Sequence, residues 1–141
     1  MADSNVAALQ SERSNIESEI SSTESQRSWI DAELTRVTAA KEAVGSLKGE
    51  ARDLRRSYGK DAISYIEGNW NARYMSRFYC DNYSDADDGM GRYIRALDHV
   101  HDELITKEHQ LTVERNSLDG RLIDLRNAWS WVTSNLEKLF N

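Results

Sequence analysis

Apolar residues recur every seven positions along most of this chain, in two separate series. The clearer series is Leu97, Leu104, Leu111, Leu118, Leu125, Val132 and Leu139, joined in its last third by Leu122, Trp129 and Leu136 at the four-residue offset. Steps of four and three residues bring successive side chains onto one stripe of an α-helix, the pattern of a helix that packs on another helix. The earlier series is Ile16, Thr23, Ile30, Val37, Val44, Ala51, Tyr58 and Tyr65. Its companion seam changes from the four-residue offset (Ile20, Leu34) to the three-residue offset (Ala40, Leu47, Leu54). Such a change rotates the buried face and predicts a kink near Gly45 and Gly49, each costing about 1 kcal/mol of helix propensity relative to alanine.

Between the two series lies Tyr65-Ile66-Glu67-Gly68-Asn69-Trp70-Asn71-Ala72. Gly68 suits a left-handed C-terminal cap, and Asn69 or Asn71 suits the N-cap of a following helix. The pattern therefore predicts one all-α domain over residues 1–141, an elongated antiparallel two-helix hairpin of coiled-coil type. Arm 1 covers about residues 4–67, the turn 68–71 and arm 2 about 72–140. A turn at the midpoint pairs residues whose numbers add to about 140, with Leu97 near Ala43 and Val44 and Leu111 near Trp29 and Ile30. The segment Asp81–Gly91 has the acidic and glycine content of a loop, although Tyr83 and Met90 extend the ladder backwards, so a kink or short break is expected there.

Composition agrees with this class: 141 residues, 39% apolar, 30% charged and no proline, the commonest helix breaker. With 18 basic against 24 acidic residues and a net charge of −6, the chain lacks the basic surface that nucleic acid requires. No run approaches the roughly 18 apolar residues that span a bilayer, so direct membrane insertion is not expected. The single cysteine, Cys80, has no internal disulfide partner. The opening Met-Ala-Asp-Ser-Asn does not read as a cleaved signal peptide, which predicts a cytoplasmic product and leaves export by a signal-peptide-independent route open.

Candidate chemistry is sparse. His99 and His101 lie about 200° apart around a helix and His109 lies two turns beyond His101, so they do not converge on one metal. The residues three before them are Ala96, Asp98 and Thr106, which excludes the Glu-x-x-His pairs of four-helix metal sites. Asp81, Asp85, Asp87 and Asp88 do not match the spacing of a calcium loop: counting from Asp85, the fifth position is Gly89 and the twelfth Ala96. No nucleophile elbow, phosphate loop or metalloprotease helix is present, and Cys80 has no recognisable His/Asn framework. The reading is non-enzymatic, with no cofactor and no metal. Arg52, Arg55 and Arg56, with Arg73 and Arg77 beyond the turn, form the densest basic zone, suited to pairing with acids and the one plausible seat for an anion.

The two arm ends do not balance. Residues 1–28 offer Val6, Leu9, Ile16 and Ile20, whereas the opposing segment offers Leu118, Leu122, Ile123, Leu125, Trp129, Trp131, Val132, Leu136, Leu139 and Phe140. Excess apolar surface of this kind marks a partner site. The expected interface is Trp129, Trp131, Val132, Leu136, Leu139 and Phe140, in a heteromer or a homodimer.

The segment Gly68-Asn69-Trp70-Asn71-Ala72-Arg73-Tyr74-Met75-Ser76-Arg77-Phe78 resembles the turn of the WXG-type (ESAT-like) helical-hairpin proteins of bacterial type VII secretion. Trp70, Asn71 and Ala72 stand at the Trp-x-Gly turn, with Ala72 in place of glycine, and Tyr74 and Phe78 at the aromatic positions that follow. In length the chain is closer to the helical accessory proteins associated with LXG toxins. The resemblance implies a targeting factor or substrate that binds the helical domain of a secreted toxin or a small helical relative. It also implies that Tyr83 and Asp87, a Tyr-x-x-x-Asp pair, match the secretion signal of that pathway, although they lie earlier in the second arm than that signal usually does. The alternative is a structural, self-associating coiled-coil protein unrelated to secretion.

Overall fold

Two helices make up the described backbone: α1, Ala2–Gly68, and α2, Arg73–Phe140. A computed structural model provides the coordinates, which describe the backbone of residues 2–68 and 73–140 and the side chains of residues 4–61 and 81–140. The two helices pack side by side in opposite directions, an all-α two-helix hairpin, and no strand occurs among the described residues. Neither contains a proline, and no described glycine has a positive φ, so nothing interrupts the backbone ladder. The turn residues Trp70, Asn71 and Ala72 lie outside the described residues, as do the side chains of Tyr74, Phe78, Cys80, Arg73 and Arg77.

The contacts gather into two units. The first joins Met1–Arg36 of α1 to Glu108–Asn141 of α2, and the second comprises Val37–Lys107. In the first unit Ile16, Val132 and Leu136 form a buried cluster, against which Val6, Leu9, Ile20, Leu125 and Trp129 pack. Ile30, Leu111 and Leu122 are buried further along, and Thr23 is buried with them. Burying each large aliphatic side chain contributes about 1.5–3 kcal/mol, so this seam carries most of the apolar stabilisation of the unit. Ion pairs flank it: Arg27 with Asp119, Arg115 with Asp31 at 2.9 Å, and Arg126 with Glu24 at 3.1 Å.

The second unit is built differently. Val37 and Ile94 are its buried aliphatic residues among those described, and beyond Ala40, which is half-buried, the companion seam does not shift to Leu47 and Leu54 as the spacing predicts. The seam keeps its heptad phase instead and runs on through half-buried Lys41, Lys48 and Arg55. Leu47 and Leu54 point outwards, 45% and 65% exposed. Cations are tolerated in the seam because their aliphatic stems pack while their heads meet acids on α2: Lys48 meets Asp98, and Arg55 meets Asp87.

The segment Asp81–Gly91 forms no loop or break, because α2 is helical throughout it, as α1 is through Gly45 and Gly49. Contacts with α1 offset its weak helix propensity. Tyr83 stacks on Tyr58 with ring centroids 5.5 Å apart, and Asp87 accepts two hydrogen bonds from Arg55. Gly91 lies buried under the Arg55 guanidinium, which a β-carbon would approach to 3.3 Å.

The register spreads upwards from the expected sum of about 140. Glu19 with Arg121, Tyr58 with Tyr83 and Arg55 with Asp87 add to 140, 141 and 142. Arg27 with Asp119, Asp31 with Arg115, Glu17 with Trp129 and Lys48 with Asp98 add to 146, and Glu24 with Arg126 and Arg52 with Asp98 to 150. Helical side chains lean towards their own N-terminus by about one position, which raises the sum by about two in an antiparallel pair.

Candidate partner-binding surface

At the terminal end of the first unit, where α1 begins and α2 finishes, the apolar residues of α2 divide by direction. Val132 and Leu136 point into the hairpin and are 1% and 5% exposed. Trp129 is half-buried against them, and its indole Nε1–H donates to Glu17 Oε1 at 3.0 Å, so its polar atom is satisfied while its ring packs. Trp131 and Phe140 are 62% and 70% exposed, and Leu139 is also exposed. Of the six residues expected at the interface, Trp131, Leu139 and Phe140 face solvent, whereas Trp129, Val132 and Leu136 hold the hairpin together.

Two grooves flank the end of α2. One, of about 400 Å³, is lined by Asn5, Ala8, Leu9, Trp131, Asn135, Lys138 and Leu139. The other, of about 330 Å³, is lined by Gln10, Arg13, Thr133, Leu136, Glu137 and Phe140. Trp131 and Phe140 are nine residues apart, half a turn around the helix, which places one ring beside each groove. The first groove is mainly apolar with Lys138 as its charge, whereas the second is mixed, with Arg13, Glu137, Gln10 and Thr133 around Leu136 and Phe140. Such an arrangement suits a helical partner that inserts apolar side chains on either side of α2.

Tyr83 and Asp87 are occupied within the second unit. The Tyr83 ring stacks on Tyr58, and its hydroxyl lies where a β-carbon on Gly59 would come within 2.8 Å. Asp87 accepts from Arg55 Nε at 2.7 Å and Nη2 at 2.9 Å. These hydrogen bonds hold the Asp87 carboxyl below its ordinary range, and the Lys48 ammonium does the same for Asp98.

The described arginines of the basic zone are paired with acids: Arg55 with Asp87, Arg52 with Asp98 at 3.8 Å and Arg56 with Asp53 at 3.8 Å. An open cavity of about 550 Å³ beside it is lined by Arg55, Arg56, Gly59, Lys60, Tyr83 and Asp87. His99 is exposed and lies 3.0 Å from Glu103, and His101 faces Gly45 across the helices. Among the described residues no group of three or more His, Cys, Asp or Glu gathers where it could hold a metal ion. No described helix is long and apolar enough to cross a membrane.

No protein-family model, curated protein or solved structure matches the chain. Sequence reasoning missed one surface. Leu47 and Leu54 were expected in the seam; the signal to the contrary was the uninterrupted seven-residue run Arg13, Ile20, Arg27, Leu34, Lys41, Lys48 and Arg55, in which charged rungs hide the continuity.

Proposed function

We propose that this protein is a non-enzymatic binding module of type VII secretion, an accessory or targeting factor or a substrate, that packs on the helical domain of a partner toxin or on a small helical relative. The observation that carries the reading is an imbalance. Among the described residues twelve large apolar side chains are exposed and eight apolar side chains are buried, and Trp131, Leu139 and Phe140 crowd one end. Fully covering each of these three would contribute about 1.5–3 kcal/mol before the costs of association, which makes them anchors for a partner that fits both grooves and buries further surface around them. The secretion context rests on the resemblance of residues 68–78 to a WXG-type turn.

The test is light scattering on the purified protein, alone and co-expressed with the products of neighbouring genes. A 1:1 complex with one neighbour, lost in the Trp131→Ala, Phe140→Ala double variant at unchanged helicity, supports the reading. A stable homo-oligomer that ignores every neighbour overturns it in favour of a self-associating structural coiled coil.

A further inference from the structure

The apolar residues that leave the seam of the second unit do not scatter. Leu47 and Leu54 lie one heptad apart on α1, Tyr93 and Val100 lie one heptad apart on α2, and all four are exposed. Each stands one residue before a seam position, Lys48, Arg55, Ile94 or His101, and in an antiparallel pair such positions share one edge of the hairpin. A shallow groove of about 210 Å³ is accordingly lined by Leu47, Glu50, Ala51, Leu54, Met90 and Tyr93. The opposite edge of this unit carries charge, with Arg52 meeting Asp98.

In the first unit the corresponding edge is polar. Its members include Glu19, Gln26, Glu33, Glu114 and Arg121, and Glu19 faces Arg121 at 3.8 Å. The apolar edge is thus confined to the second unit, and it exists because Lys48 and Arg55 hold the seam there.

The rim identifies the occupant. The outward neighbours of the strip, again at seven-residue spacing, are Ala43, Glu50 and Ser57 on α1 and Gly89, Ala96 and Glu103 on α2. Four of these six are small, which lets another helix approach closely. The two charged ones are both glutamates: Glu103 is met by His99 of its own helix, and Glu50 has no ion-pair partner among the described residues. Followed to the ends of the unit, the two rows of the strip add only Lys107 and Asp61 as charges, so a second copy would bring one cation against three acids.

We propose that this edge of Val37–Lys107 is a docking face for an amphipathic helix of another protein whose apolar stripe is flanked by lysine or arginine. It is separate from the terminal surface that carries the proposed function.

Two fluorescent synthetic helical peptides of about three heptads test it, identical in their leucine stripe and flanked by lysine in one and glutamate in the other. Binding to the full chain is read by fluorescence anisotropy. The lysine-flanked peptide binds at least about tenfold more tightly than the other. Leu54→Glu, at a residue 65% exposed, weakens it by about tenfold or more at unchanged circular dichroism. Glu50→Lys shifts the preference towards the glutamate-flanked peptide, and Trp131→Ala with Phe140→Ala leaves binding intact, which separates this face from the terminal one. Equal binding of both peptides, or binding indifferent to both Leu54→Glu and Glu50→Lys, overturns the proposal. A homodimer of the chain that Leu54→Glu converts to monomer overturns it too, by assigning the face to a second copy.

Discussion

Arg55 and Asp87 meet at two points, guanidinium Nε to Oδ1 and Nη2 to Oδ2, from seam positions of opposite helices that aliphatic residues fill elsewhere in the hairpin. The pair joins α1 to the acidic, glycine-containing stretch of α2, where helix propensity is weakest. A fork of this geometry constrains orientation as well as separation, so it selects register more than an apolar contact would. Arg55→Asp or Asp87→Arg alone places like charges across the seam and should lower the melting temperature and loosen the helix around residues 81–91. The double swap should recover most of the loss. Hydrogen exchange of the amides in that stretch is the measurement, and a double swap no better than either single one would show that the pair does not set the contact.

The same pairs predict an acid response. Asp87 and Asp98 titrate below the ordinary value of 3.8, each chiefly through a side-chain hydrogen bond, from Arg55 and from Lys48 respectively. A depressed folded-state value means that the stabilisation is fully present above the unfolded value and is lost as pH falls through the folded one. The native hairpin should therefore lose stability as pH drops below about 3.8. Asp87→Asn with Asp98→Asn should be less stable than the native chain at neutral pH and should converge with it in acid. Thermal melts of both proteins across this range decide the matter, and a constant gap between them would remove the two carboxylates as its cause.

How far these features could be read in advance depended on the residue type at each rung. The heptad of Leu97 to Val132 is aliphatic throughout, so the helix, its stripe and its need for a partner helix were legible. Lys48 and Arg55 continue a seam as faithfully as leucine does once an acid faces each head, but hydropathy counts such residues as surface and favours Leu47 and Leu54. The composition of Asp81–Gly91 suggests a kink or short break for a related reason, since it cannot register Tyr58, Gly59 and Arg55 on the other helix. At the terminal end the excess of apolar residues was visible. Which three of six would face solvent was not, because a one-residue step around a helix decides it.

Leu111 and Val113 provide a close contrast between core and surface. Leu111 is 2% exposed and Val113, two residues on, is 54% exposed. Leu111→Ala should cost about 2–5 kcal/mol, the range for deleting a buried leucine side chain. Val113→Ala should stay within about 0.5 kcal/mol. Urea titration followed by circular dichroism measures both, and similar losses at the two sites would contradict the orientation of α2.

Glycines separate helix propensity from contact in the same way. Gly49 lies mid-helix with nothing within 4 Å of where a β-carbon would stand, so Gly49→Ala should stabilise the hairpin by about 1 kcal/mol. Gly59 is buried, and its β-carbon would fall 2.8 Å from the Tyr83 hydroxyl. Gly59→Ala gains the same propensity but must push Tyr83 off Tyr58, forfeiting about 0.5–1.5 kcal/mol of ring contact, and should be no more stable than the native chain. Removing the obstructing oxygen distinguishes this account from a general intolerance of alanine. The ring carbons of Tyr83 stand 3.6 and 3.7 Å from the same β-carbon, ordinary contact distances, so Tyr83→Phe should restore the gain. Melting temperatures of the two single variants and the double variant form the test: if Gly59→Ala remains destabilising in the Tyr83→Phe background, the hydroxyl is not what requires glycine at 59.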